Sequence, residues 1–435
     1  MKFIQRRLCI GLTVFLTFLS LPSWAQMDHA AHGMSESAAQ AKMRMMGNFG
    51  AYPLEREASG TSWQPDSSPH EGLHYKVSDW DIMAHGFLTG IYDHQGGKRG
   101  DDKAFSTSMA MVMAQKPVSL RGTLGLRAML SLDPLMGKEG YPLLFAAGET
   151  ANRRDLLIDR QHPHDLFMEL SGSYSHRLSS KASAFLYAGL PGEPALGPPS
   201  FMHRVSGADN PEAPLAHHWL DSTHISFGVL TGGYIYDRFK FELSGFNGRE
   251  PDEKRYNIES PKLNSYAARA SYNFMSNLSV QTSWGHLEGP ELLEPYVNED
   301  RLILSGIYNM PFGDKNNWAT TFAWGRKFKD PGPELDAFML ESAVTFEKKH
   351  TFFTRLERVE QNELFHGQVA FEELEDDIFP INKGSLGYIR DFEIAEHTKF
   401  GVGGLVSGHI IPDRIEPAYG KNPVSYMLFV RLKIL

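Results

Sequence analysis

The stretch VSYMLFVRLKIL, residues 424–435, decides the fold. Apolar side chains such as Leu428 and Val430 alternate along it with polar ones such as Ser425 and Arg431. Because successive side chains of a β-strand point to opposite faces, this segment predicts a strand with one apolar and one polar face. A strand of about ten residues with this alternation is typical of an outer-membrane barrel, whose apolar face contacts lipid.

The same period of two continues through most of the chain from Trp80 onward. It predicts about 16 strands, an even number that closes a bacterial barrel. They are placed at residues 80–93, 105–115, 119–132, 166–177, 182–190, 225–236, 240–247, 265–274, 278–287, 301–310, 317–326, 337–347, 351–360, 385–393, 398–410 and 424–435.

The connections between these strands are alternately short and long. Short turns fall near Lys116 and Ser179, for example, whereas long connections cover residues 133–165 and 191–224. Outer-membrane barrels join short periplasmic turns to long outer loops, so this asymmetry favours them over the alternative, a soluble β-sandwich. We therefore predict an all-β fold, an antiparallel transmembrane β-barrel of about 16 strands over residues 79–435.

The N-terminal residues predict export. Basic residues precede the apolar run 8–21, and a small-x-small cleavage motif ends at Ala25, so residues 1–25 match a secretory signal peptide. The apolar run is shorter than the ~20 residues of a membrane anchor, the alternative for this segment. Residues 26–78 are polar and predict a flexible, disordered leader. The mature chain is expected in the outer membrane.

Composition limits the partners. Aromatic residues make up 12 % of the 435 residues and there are 40 glycines, which suits many short strands and turns. A net charge of −9 argues against nucleic acid. The single cysteine, Cys9, lies in the predicted signal, so the mature chain forms no disulfide. The expected partners are outer-membrane lipid, metal ions or small solutes, and further copies in a homo-oligomer.

The leader offers soft metal ligands near its start. Thioether and imidazole groups suit copper or zinc ions. The alternative is a flexible tail in which these residues are incidental. The candidate ligands are Met27, His29, His32 and Met34.

Two predicted outer loops concentrate the histidines. In DRQHPHD, residues 159–165, Pro163 restricts the backbone, and side chains two apart in an extended segment point the same way. The loops flank one hairpin, so their tips are expected to meet above the barrel mouth. This predicts a site for zinc or copper, or else histidines that bond to acidic neighbours and lock the loops. The candidate ligands are His162, His164, Asp165, His203, His217, His218, Asp221 and His224.

Interior faces of the strands carry charge. Alternation places Arg127, Arg269 and Arg355 toward the lumen, where such groups tune ion selectivity or, as we expect, brace the wall by cross-strand pairing. The stripe Met109, Met111 and Met113 (residues 109–113) is predicted to face the membrane rather than to relay copper. A hydrolytic alternative assigns Ser222, His224 and Asp221 to a triad at the lipid boundary.

The loop motifs resemble a known family. RQHPHD (160–165), GEPALGPPSFMHR (192–204), NPEAPLAHHWLDSTHIS (210–226) and FNGREPDE (246–253) resemble segments of a family of Gram-negative outer-membrane β-barrel proteins. The resemblance implies the barrel but carries over no activity or ligand. The layout, a Met/His-rich leader before a barrel, is similar to that of copper-resistance outer-membrane proteins.

These observations predict a non-enzymatic outer-membrane barrel that handles a metal ion, copper or zinc, or passes solutes. The alternatives are a general diffusion porin with structural loop histidines and an outer-membrane lipid hydrolase. No resident cofactor is expected other than such an ion.

Overall fold

The computed structural model describes residues 46–375 and 377–435. Strands account for most of the ordered structure, and no helix in these two ranges is long and apolar enough to cross a membrane. The strands are β1 Leu73–Val77, β2 Trp80–His94, β3 Asp102–Pro117, β4 Gly122–Leu130, β5 Tyr141–Thr150, β6 Leu156–Gln161, β7 Phe167–Arg177, β8 Ala182–Gly189, β9 Val229–Tyr236, β10 Phe239–Phe246, β11 Ser265–Met275, β12 Leu278–Leu287, β13 Asn298–Phe312, β14 Asn316–Asp330, β15 Glu334–Phe346, β16 His350–Gln361, β17 Phe379–Ala395, β18 Thr398–Ile410 and β19 Val424–Ile434.

Helical segments are short and lie in the connections. Short 3-10 segments span Leu54–Arg56, Asp133–Met136, Ser222–His224, Val369–Leu374 and Asp413–Ile415, and four-residue α-helices span His217–Leu220 and Glu416–Tyr419.

Sixteen strands, β2 to β4 and β7 to β19, form an antiparallel meander that closes where β19 pairs with β2. Each of them overlaps a predicted strand, so the predicted barrel is confirmed. β1 pairs with the first residues of β2, and β5 and β6 form a separate hairpin. The strand-rich chain closes on itself because closure leaves no unpaired sheet edge.

The two faces of the wall differ as the alternation predicts. On β19, Leu428 is 58 % exposed on the outside, whereas Phe429 is 4 % exposed and faces the interior with Arg431. The methionine stripe is an exception, because Met109 and Met111 are buried on the inner face and the membrane-facing prediction is wrong. The residues between these methionines on β3 are small and apolar, so the two faces of the strand do not differ in polarity and the sequence could not tell which one faces lipid.

Three segments fill the lumen: residues 46–68, the β5–β6 hairpin and the loop 190–228. Phe49, Phe145 and Arg204, one from each, are almost completely buried. The loop 190–228 therefore folds into the barrel, whereas the sequence predicted a cover above its mouth.

The leader also differs from its prediction over its described part. Residues 46–68 pack against the wall, where Phe49 and Phe185 have ring centroids 4.6 Å apart. Arg127 Nη1 donates to Gly60 O over 2.8 Å, and Lys240 donates to Thr61 O. The polar composition that predicted disorder instead suits a segment inside a polar lumen. Residues 26–45 of the predicted leader lie outside the described residues.

Ion pairs brace the wall from inside, as predicted. Arg269 lies directly opposite Glu242 on the neighbouring strand, with Nε 2.9 Å from Oε2. Arg355 is likewise opposite Glu341, at 3.1 Å. Buried charges are tolerated when each has a partner of opposite charge.

The apolar outer surface leads to a test in lipid. We expect Leu428→Arg to lower the free energy of unfolding of the barrel in lipid vesicles by about 2–4 kcal/mol, since a charge in the middle of a lipid-facing strand loses its hydration. The same change at Leu120, 95 % exposed in a short turn, is the matched control and should cost about 0–1 kcal/mol. Equal costs in a denaturant titration would contradict a lipid-facing surface.

Candidate metal centre

Five of the predicted histidines come together in the lumen. The ring of His224 lies 5.3 Å from that of His164 and 5.2 Å from that of His217, measured between centroids. His218 lies 5.6 Å from His217 and 5.8 Å from His162. The two histidine-bearing loops therefore meet, as the sequence predicts, but they do so inside the barrel.

Acceptors orient three of these imidazoles. His164 Nδ1 lies 2.8 Å from an oxygen of Asp133, and His217 Nδ1 lies 2.7 Å from an oxygen of Asp221. His224 Nδ1 donates to the backbone carbonyl of Asp221 over 2.7 Å. A proton held on Nδ1 leaves Nε2 as an acceptor, which is how metal-binding histidines are commonly oriented. The buried Nε2 of His224 has no hydrogen-bond partner among the described residues.

The tightest group of ligand atoms joins His218 to two glutamates. One ligand atom each from His218, Glu250 and Glu291 lies within 4.8 Å of the others, and all three residues are buried. His218 Nδ1 is 3.3 Å from Glu250 Oε1. Among the described residues, this contact with His218 is the one ion pair of the Glu250 carboxylate, and its Oε2 has no hydrogen-bond partner. One nitrogen and two carboxylates are a donor set that zinc accepts.

The backbone approaches this group closely. Gly148, at φ +129°, lies against the ring of His218, and a Cβ there would be 2.9 Å from its Cε1. A glycine is required at this position both by the conformation and by the space. The β5–β6 hairpin thus fixes one side of the histidine.

Charges within the group oppose one another. Burial alone would lower the pKa of His218, but the Glu250 carboxylate outweighs it and raises the pKa. Burial would raise the pKa of Glu250, but His218 lowers it. For Glu291, burial and the repulsion of Glu250 act together and raise the pKa to about 8. The raised pKa values of His218 and Glu291 favour their protonated forms, and a bound metal ion would replace those protons.

Nearby cations of the wall have carboxylates of their own. Lys327 and Arg301 both pair with Glu299, at 3.4 Å and 2.7 Å. Lys329 pairs with Glu363 at 2.7 Å. Because Lys327 and Arg301 share one carboxylate, they leave some positive charge near the two glutamates, but His218 is the group that pairs with Glu250 directly.

The remaining predicted ligands have other contacts. Asp165 lies 3.3 Å from Arg255, and burial raises its pKa to about 6. Asp221 pairs with Arg204 at 2.5 Å as well as with His217. Both acids therefore orient and neutralise neighbouring groups. His203 lies apart from the five histidines, with Nε2 3.4 Å from Met129 Sδ.

The candidate ligands Met27, His29, His32 and Met34 lie outside the described residues.

Glu250 and Glu291 are the functional candidates that the sequence analysis missed. Glu250 lies in the motif FNGREPDE, residues 246–253, whose sequence alone did not predict a metal ligand. The backbone N–H of Glu250 donates to Pro290 O over 3.0 Å, which brings their two loops together. The repeated acidic residues of these loops were the available signal.

The proposed triad is not assembled. Ser222 Oγ accepts a hydrogen bond from Arg301 Nη1 over 2.8 Å, and the Asp221 carboxylate faces Arg204 and His217. His224 bonds to the backbone of Asp221, not to its carboxylate. A serine nucleophile needs a hydrogen-bonded base oriented by an acid, and these three residues do not provide one.

Comparison with known proteins places the fold among porins. OmpF of Salmonella typhi, solved with daunomycin, superposes with a TM-score of 0.50 at 8 % identity, covering 83 % of this chain and 100 % of that one. This likeness shows a porin-like barrel. OprB of Pseudomonas putida has a TM-score of 0.49 at 8 % identity, with 81 % and 94 % covered. An anion-selective porin from Comamonas acidovorans gives 0.47 at 11 %, with 82 % and 100 % covered.

No protein-family model matches the sequence, and no curated protein matches it.

Proposed function

We propose that this chain is an exported outer-membrane barrel that binds a divalent cation, zinc or copper(II), within its lumen. The group His218, Glu250 and Glu291 carries the proposal, because its ligand atoms lie within 4.8 Å of one another and are buried. The apolar outer surface of the sixteen strands supports a location in lipid. Export through the signal at residues 1–25 and a soft-ligand leader from residue 26 belong to the same proposal.

The buried carboxylates argue for a bound cation rather than for packing alone. A buried carboxylate with few hydrogen bonds is costly, and among the residues described Glu250 has one long contact, 3.3 Å from its Oε1 to His218 Nδ1, while its Oε2 has none. A second acid, Glu291, adds like charge to the same group. A divalent cation would satisfy both acids and the imidazole at once.

Permeation of small solutes is the second candidate, and the porin-like fold favours it. Barrels of this strand number otherwise enclose an aqueous channel. Here the segments that fill the lumen would have to move before a solute passes. Conductance that is large and insensitive to metal in planar bilayers would support this function over metal binding.

The test is zinc titration by calorimetry on the purified full-length chain in detergent. The wild type should bind zinc saturably at micromolar concentrations. We expect the double variant Glu250→Gln and Glu291→Gln to bind at least about 10–100-fold more weakly, because it keeps the shape and removes both carboxylates. Glu373→Gln, the same change on an exposed outer loop, is the matched control and should bind as the wild type does.

Two results would contradict the proposal: no saturable zinc binding by the wild type, or unchanged affinity in the double variant. The shift of electrophoretic mobility on heating shows whether each barrel is folded, so a loss of binding is not confused with a loss of structure.

A further inference from the structure

A row of sulfur and nitrogen atoms crosses the inner wall of the barrel. On β2, His85 lies directly opposite Met111 of β3, and Met111 lies directly opposite Met129 of β4. Directly opposed residues of neighbouring strands have their side chains on the same face, with Cβ atoms about 5 Å apart. Met111 and Met129 are buried, so this face is the interior.

The loop 190–228 adds a second imidazole to the row. His203 Nε2 lies 3.4 Å from Met129 Sδ, and His85 Nε2 lies 3.3 Å from Met111 Sδ. The two imidazole centroids are 6.2 Å apart. Two nitrogens and two thioether sulfurs therefore meet where the inserted loop touches the wall.

This pairing differs from that of the loop histidines described above. Those imidazoles contact carboxylates or a carbonyl, whereas the ring nitrogens of His85 and His203 contact sulfur. A thioether is a weak hydrogen-bond acceptor, so it compensates a buried imidazole poorly. Apolar packing alone does not explain why both rings direct a nitrogen at a methionine.

The charge around the row is balanced. Arg127 faces it from β4, but its guanidinium lies 3.6 Å from Glu169 and donates to Gly60 O. A neutral imidazole keeps a lone pair on one of its two ring nitrogens, which a metal ion can use.

We propose that His85, Met111, Met129 and His203 form a binding site for a soft monovalent cation, Cu(I), with Ag(I) as its analogue. Thioether and imidazole ligands without a carboxylate select Cu(I) over hard or divalent ions. Methionine side chains are also flexible enough to close around an ion. The site shares no ligand with the His218, Glu250 and Glu291 group, so failure of either proposal leaves the other testable.

The experiment is an anaerobic Cu(I) titration of the full-length protein against a colorimetric Cu(I) chelator. We expect the double variant Met111→Leu and Met129→Leu to lose about one Cu(I) equivalent, because leucine keeps the packing and removes both sulfurs. Zinc binding should be unchanged. Met427→Leu is the matched control, since Met427 is a buried methionine in the main hydrophobic cluster, away from this row.

Unchanged Cu(I) capacity in the double variant would overturn the proposal and assign any binding to other groups, such as the leader. His203→Gln provides a second test that leaves the wall intact. This variant should also bind about one Cu(I) fewer per chain than the wild type. Full retention of Cu(I) binding by His203→Gln would contradict the proposed site.

Discussion

Replacing Arg204 by methionine is expected to loosen the loop that fills the lumen and to raise the ion conductance of the barrel. Arg204 is completely buried, with Nε 2.7 Å from Glu341 on the wall and Nη1 2.5 Å from Asp221 in the loop. It also donates to Pro199 O over 2.8 Å. One side chain therefore joins the loop to itself and to β15.

The size of the effect follows from the carboxylates that remain. Removing one partner of a buried ion pair costs about 3–5 kcal/mol, because the other charge stays buried without compensation. Arg355 still faces Glu341, and His217 still faces Asp221, so the barrel wall keeps part of its network. The cost should thus fall on the inserted loop rather than on the strands.

Planar bilayer recordings and limited proteolysis measure the two consequences. The variant should conduct more than the wild type and should be cleaved within residues 190–228, while its strands stay protected. Arg326→Met is the matched control, since its pair with Asp336 lies partly exposed on the outer side of the wall, where ion pairs contribute little to stability. A folded Arg204 variant with wild-type conductance and protease resistance would show that the loop is held by other contacts.

The second large effect is on the pH dependence of zinc binding. A metal ion at His218, Glu250 and Glu291 must displace protons from His218, whose pKa is raised, and from Glu291, whose pKa is about 8. Each displaced proton changes the apparent affinity by about tenfold per pH unit below its pKa. Zinc affinity should therefore rise steeply from about pH 6 to about pH 8 and be lost as the pH falls.

The other groups around the site are expected to change this slope little. Lys327 and Arg301 both pair with Glu299. Glu363 is held by Lys329.

Glu149 is the exception among the neighbours. It faces His218 and Glu250 from the hairpin beside Arg255, and burial raises its pKa to about 7. Because its ionisation adds negative charge near the metal, it reinforces the rise in affinity with pH. Zinc affinity is therefore expected to rise with pH whether the ionisation of Glu149 or that of Glu291 contributes more.

Calorimetric zinc titrations from about pH 6 to about pH 8 provide the test. Glu291→Gln is the control, because it removes the carboxyl group whose proton zinc would displace. The variant should bind more weakly and with a shallower dependence on pH. A flat profile in the wild type, or affinity that falls as the pH rises, would show that no protonated ligand is displaced.

The strands were predictable because the barrel imposes a local rule. Alternating polarity in β19 and β4 reflects lipid on one side and a polar lumen on the other, and no distant contact is needed to see it. The Met109–Met113 stripe escaped this rule, because methionine on one face and small residues on the other give no contrast in polarity.

The contents of the lumen were not predictable in the same way. A polar segment such as residues 46–68 has the composition of a flexible chain, yet its carbonyls and charges match the charged inner wall. Whether the loop 190–228 folds inward depends on partners such as Glu341, more than a hundred residues away in the sequence. His162 and His218 were predicted to meet because their loops flank one hairpin. Glu250 and Glu291 lie in two later loops, and only the folded chain brings them to His218.

β1 sets a limit on how the cylinder can close. It occupies residues 80–84 of β2, and β19 pairs with Gly86 onward along the same strand. The last strand therefore cannot slide toward the start of β2, because β1 already pairs with that part of the strand. In a closed barrel, the offset between first and last strands determines the tilt of all the others and the width of the cylinder. β1 therefore limits how far the offset between the first and last strands can change in one direction.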